Sequence, residues 1–65
     1  MTPERREELL RRQRWTLAEL RELTGWSRYQ LYRLRKRIGL RGKWTYAHQL
    51  RLLEPDLWTW MREAA

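Results

Sequence analysis

The chain has no cysteine, no valine and no phenylalanine, and its only histidine is His48. Without cysteine, neither a disulfide nor a thiolate metal site can staple it, and one histidine cannot build a metal centre. Apart from Ile38, its only β-branched residues are five Thr, a poor composition for strands and a good one for helices. No apolar run approaches the roughly 20 residues of a membrane span. The charged start of the chain also lacks the apolar stretch of a signal peptide, so a cytoplasmic protein without a membrane partner is expected. Equally missing are a Gly-rich phosphate loop, a Ser/His/Asp or Cys/His set, and paired carboxylates with room for a pocket. The expectation is a non-enzyme with no catalytic residue, metal or cofactor.

One absence is local. Residues 23–53 contain no Asp or Glu, yet Arg28, Arg33, Arg35, Lys36, Arg37, Arg41, Lys43 and Arg51 fall there. Residues 1–24 are close to neutral, with six Arg against five Glu, so the net charge of +7 is concentrated rather than spread. A one-signed block of this kind is the electrostatic footprint of a protein that meets a polyanion; a solvated face normally mixes both signs.

What is present supports one domain over residues 1–65, small enough to bury only about 60% of its unfolded surface. Leu, five Trp and three Tyr supply its core. Thr2-Pro3-Glu4 reads as a helix start running to about Arg14, with Thr as cap and Pro in the first turn. Glu7 with Arg11, and Glu8 with Arg12, have the favourable i,i+4 polarity; Leu9, Leu10 and Trp15 should pin this helix. Thr16 followed by Glu19 fits a capping box, and Ser27 followed by Gln30 fits a second. Gly25 lies between, suited to a left-handed helix end, and Gly39-Leu40 should close the next helix in the same way. Two short capped helices, about 17–24 and 28–38, around a turn containing Gly make a helix-turn-helix. Leu17, Leu20 and Leu23 form one stripe, Leu31, Leu34 and Ile38 the facing one, and Trp26 should plug the angle between them.

On the far side of the second of these helices, Tyr29, Arg33 and Lys36 oppose the leucine stripe, flanked by Arg28, Gln30, Tyr32 and Arg37. Arg can pair bidentately with guanine, Gln with adenine, and Tyr can touch phosphate or a thymine methyl. The N-terminal turn of such a helix enters the groove deepest, so Arg28, Tyr29, Gln30, Tyr32 and Arg33 are the expected base readers. Ser27, Lys36, Arg37, Arg41 and Lys43 are the expected phosphate contacts; five or six phosphates would give a log K against log salt slope of about −5. The alternative for Tyr32 is partial burial.

Thr45 should cap a helix over about 46–53 that buries Tyr46, Leu50 and Leu53 and leaves His48 and Arg51 outside. Glu54-Pro55-Asp56 breaks and restarts the chain, and in the last helix, about 55–63, Leu57, Trp60 and Met61 can face inward. Trp58, about 200° around from Trp60, either packs over the fourth helix or stands exposed as a contact. Leu57, Trp58 and Met61 are the candidate self-association residues.

The order Leu17-Ala18-Glu19-Leu20, Leu23-Thr24-Gly25, Ser27-Arg28, Leu31-Tyr32-Arg33, Ile38-Gly39-Leu40 resembles the helix-turn-helix of bacterial and phage regulators, most closely the MerR and excisionase-like branch. In that group a similar Ile-Gly-Leu ends the recognition helix, and a short wing leads to a Tyr opening another helix; Arg41 to Tyr46 has the length of a trimmed wing. Arg21 and Trp26 depart from the pattern, which has small residues there. The resemblance implies an all-α fold: a helix-turn-helix core of three helices plus one or two C-terminal helices, with residues 42–46 either a very short wing or a loop. It also implies sequence-specific duplex DNA binding, with residues 28–38 in the major groove. Gly42–Thr45 and the N-terminal basic residues would lie on flanking phosphates, in a nucleoid-associated regulator of transcription or recombination from a phage or mobile element. A single module of this size limits affinity, which favours a homodimer or cooperative oligomer. The rival reading is a protein-interaction module, such as a small phage factor docking on RNA polymerase, with Trp44, Trp58 and Trp60 as anchors.

Overall fold

The computed structural model describes residues 1–63 and is all-α, with five helices and one two-stranded ribbon. Thr2 caps α1 (Pro3–Arg11), its hydroxyl accepting from the Arg5 N–H at 3.2 Å. Only Leu9 is fully buried on this helix, with Leu10 packed beside it. The helix ends three residues before the expected Arg14, because the carbonyl of Leu9 has other donors. The Arg12 N–H reaches it at 3.1 Å and the Trp15 indole Nε1–H at 2.7 Å. That indole is completely buried and cannot leave its N–H unpaired. The chain therefore turns extended, and Arg14–Trp15 become β1.

The helix-turn-helix forms as the capping residues dictate. In α2 (Leu17–Thr24), Thr16 and Glu19 satisfy each other's backbone amides, at 3.2 and 2.9 Å. In α3 (Arg28–Arg37), Ser27 and Gln30 do the same, at 3.1 and 2.8 Å. Gly25, at φ 73°, ends α2 in the left-handed region that other residues enter at a cost. Gly39, at φ 78°, completes a Schellman closure of α3, with the Leu40 N–H on the Arg35 carbonyl (2.9 Å) and the Gly39 N–H on that of Lys36 (3.2 Å).

Of residues 42–46 only the last two enter a strand, which pairs with β1 rather than making a hairpin wing within the segment. Thr45–Tyr46 are β2, antiparallel to β1, with Trp15 opposite Thr45 and Arg14 opposite Tyr46. Thr45 is therefore not the cap of the next helix. It is fully buried on the ribbon, and Tyr46 takes the cap position of α4 (Ala47–Leu53), its N–H on the Gln49 side chain at 3.0 Å. Glu54 alone separates α4 from α5 (Pro55–Glu63), with Pro55 opening the second helix.

One core joins all five helices: Leu9, Trp15, Leu20, Leu23, Leu31, Leu34, Leu50, Leu57 and Met61. Burying each such side chain stabilises by about 1.5–3 kcal/mol. Two C-terminal expectations reverse. Trp58, not Trp60, packs inward, its ring 6.4 Å from that of Trp15, because the buried indole of β1 sets which side of α5 is inside. Trp60 is 45% exposed, and Leu53, the last residue of α4 before the turn, is 43% exposed. Of the self-association candidates, Leu57 and Met61 lie buried in the chain's own core and Trp58 packs half-buried against it. Arg6 ties the ends of the chain together, donating to the carbonyls of Leu23 (3.3 Å) and Met61.

Candidate nucleic-acid interface

The expected interface depends on how α3 is held. Leu31 and Leu34 anchor it in the core, and Ile38 packs behind them at its C-cap. That anchoring turns the opposite side outward: Arg28, Tyr29, Gln30, Tyr32, Arg33, Lys36 and Arg37 are all exposed, Tyr29 by 69% and Tyr32 by 57%. Tyr32 thus resolves as a surface residue. A groove runs along each flank of the helix. One is bordered by Trp26, Tyr29, Gln30, Arg33 and Arg37, the other by the start of α2, Arg28 and residues 39–43. Tyr32 and Lys36 border both, so they form the crest between them.

Partners divide these side chains further. Among the described residues, no carboxylate pairs with Arg28, Arg33, Lys36, Arg41 or Lys43. Arg33 lies over the Tyr29 ring, 5.7 Å from its centroid, which orders two flexible groups on one patch. Gln30 is partly committed: its Oε1 accepts the Ser27 N–H, leaving its amide hydrogens free to donate. Bidentate pairing with adenine would cost that cap. Ser27 accepts from Gln30 through Oγ and keeps its own hydroxyl hydrogen for an outside acceptor. Arg37 differs from the expectation of a free phosphate contact. Its guanidinium is hydrogen-bonded to the Glu54 carboxylate, which the turn between α4 and α5 brings beside it.

Arg35 is a structural residue that inspection of the sequence does not separate from its neighbours. It is only 8% exposed, and it donates to the Thr45 hydroxyl (3.2 Å) and the Gly42 carbonyl (2.5 Å). This buried guanidinium fastens the loop carrying Arg41 and Lys43 to α3. Position on the helix is the one signal that could have found it, since Arg35 follows Leu31 by four residues and shares its side.

The ribbon carries a second cationic group. Arg14 lies 4.1 Å from the centroid of the Trp44 ring, and the Lys43 ammonium 5.4 Å from it, so Trp44 is stacked over and half-buried. With Trp58 packed on Trp15, Trp60 alone of the three anchors in the protein-docking reading stands exposed. The two resolved pKa shifts fall outside the interface, on α1 and α2. A hydrogen bond from Arg5 holds the Glu22 carboxyl below its ordinary range, and the same bond raises the Arg5 guanidinium.

No helix among the described residues is long and apolar enough to cross a membrane. No group of three or more His, Asp or Glu among them could hold a metal ion. Compared with known proteins, the chain matches no family model, no curated sequence and no solved structure.

Proposed function

We propose that this protein is a non-enzymatic, sequence-specific duplex DNA-binding protein of the MerR and excisionase-like kind. In this reading it is nucleoid-associated in the cytoplasm and regulates transcription or recombination for a phage or mobile element. The observation that carries the reading is the outward side of α3, where Arg28, Tyr29, Tyr32, Arg33 and Lys36 stand exposed and unpaired by any described carboxylate. A helix of ten residues is about 15 Å long, and the major groove is about 12 Å wide. Arg28, Tyr29 and Arg33 supply base contacts, with Tyr32 on the crest and Gln30 donating through its free amide. Ser27, Lys36, Arg41 and Lys43 meet phosphates on either side. Arg37 reaches a phosphate only by leaving Glu54.

The test is the salt dependence of binding to a duplex. With Lys36, Arg41 and Lys43 neutralising about three phosphates, log K should fall against log salt with a slope of about −3. A slope near zero would defeat the reading. Replacing Arg33 and Tyr29 by Ala should remove discrimination between duplex sequences while leaving the slope nearly unchanged.

A further inference from the structure

The groove between the start of α2, one flank of α3 and residues 39–43 is an open cleft of about 870 Å³. Arg28, Lys36, Arg41 and Lys43 border it and Arg35 forms part of its wall, while no acidic residue lines it. Glu19, the acid nearest its α2 side in sequence, is bound to Arg12 and to the Thr16 amide instead. Like charges lining one cleft repel one another, and a buried guanidinium holds the loop that carries two of them. Arg35 pins Gly42 and Thr45, and so fixes the loop bearing Arg41 and Lys43 opposite Arg28 and Lys36. Its lining is not all polar: the half-buried Leu17 and Leu40 and the exposed ring of Tyr32 on the crest belong to it. Cations beside apolar and aromatic side chains suit a phosphate group attached to a planar or apolar body.

We propose that this cleft is a phosphate-binding site in its own right, able to seat adjacent phosphates whether or not Tyr29 and Arg33 read bases. The phosphates come from one of two sources, the backbone of a duplex or the polyphosphate chain of a free nucleotide.

The site is tested by titrating the full chain with inorganic tripolyphosphate, with NaCl at matched ionic strength as reference, and following backbone amide resonances. Saturable shifts should centre on residues 16–18, 28 and 39–43. Affinity should drop at least about tenfold in Arg41→Ala/Lys43→Ala, the loss expected from removing two charge-assisted contacts. It should be unchanged in Arg11→Ala, a variant on the exposed side of α1. Non-saturable shifts that follow ionic strength alone, or an equal loss in Arg11→Ala, would overturn the proposal.

Two further arms assign the source. If a duplex supplies the phosphates, tripolyphosphate displaces it beyond the effect of ionic strength, and the double variant lowers the duplex salt slope by about 2. If a free nucleotide supplies them, ATP binds more tightly than tripolyphosphate through its base on Tyr32, Tyr32→Ala removes that gain, and a bound duplex leaves the cleft resonances in place. Tripolyphosphate binding that persists when no duplex binds would retain the site while refuting the reading of α3 as a DNA-contacting helix.

Discussion

The same residue type does opposite work in the two halves of this molecule. On and beside α1 and α2, Arg5 pairs with Glu22 (3.1 Å) and Glu8 (3.2 Å), and Arg12 with Glu8 (3.6 Å) and Glu19, while Arg6 donates to backbone carbonyls. On α3 and the loop after it, Arg28, Arg33, Lys36, Arg41 and Lys43 have no such partners among the described residues, Arg37 alone is paired, with Glu54, and Arg35 is buried on neutral oxygens. The first region uses charge locally, where exposed pairs contribute little and salt screens them. The second keeps its charge available to the outside, so its field adds up over one surface.

Both surfaces rest on one core and should melt as one cooperative body. Trp15→Ala tests that most severely, because it removes a fully buried indole that touches Trp58 and closes the end of α1. It should cost about 3–5 kcal/mol, a large share of the stability of a small domain. Calorimetry should show a single lowered transition; two separate transitions would make the halves independent bodies.

Arg35→Met comes next. It strips the partners from a buried hydroxyl and a backbone carbonyl, and should destabilise by about 1–3 kcal/mol, measurable in urea. Amide exchange should quicken first over residues 40–45. A neutral result would show that the loop is held by the ribbon alone.

Arg33→Ala with Tyr29→Ala sharpens the contrast in the other direction. Both side chains are exposed, so the melting temperature should hold. Discrimination between preferred and unrelated duplexes should fall by about 1–3 kcal/mol for each base that is no longer read. Unchanged discrimination would move the reading function off α3.

The smallest effect belongs to the paired region. Because Arg5 lowers the folded-state pKa of Glu22, that pair's stabilisation is present above the ordinary carboxylate range. It is lost as pH falls through the lowered value. Melting temperatures followed down from pH 6 should therefore fall less steeply in Glu22→Gln than in the wild type below about pH 4. Parallel curves would mean that the pair adds nothing.

The helix-turn-helix was legible because its signals are local. Thr16/Glu19, Ser27/Gln30, Gly25 and Gly39-Leu40 each fix a helix end within a few residues of sequence, and the structure places all four as expected. What the sequence hid depends on distant residues. β1 and β2 have two residues each, too short to carry an alternating pattern, and only their pairing defines them. The exchange of Trp58 for Trp60 follows from where Trp15 lies, more than forty residues earlier in the chain. Arg37 finds Glu54 across a separation of 17, and Arg35 is met by Gly42 and Thr45 from the far side of a turn. Within the run Arg33 to Arg37 only helical phase, which puts Arg35 on the side of Leu31, marks the buried cation, and nothing local tells the paired one from the free ones.

The most direct test of the central claim is selection of duplexes from a randomised pool at about 150 mM salt, where unspecific phosphate binding is weak. The expected result is an enriched motif that is lost with Arg33→Ala/Tyr29→Ala and retained with Arg5→Ala. A pool that stays random, or a motif that survives removal of Arg33 and Tyr29, would contradict the claim that α3 reads DNA.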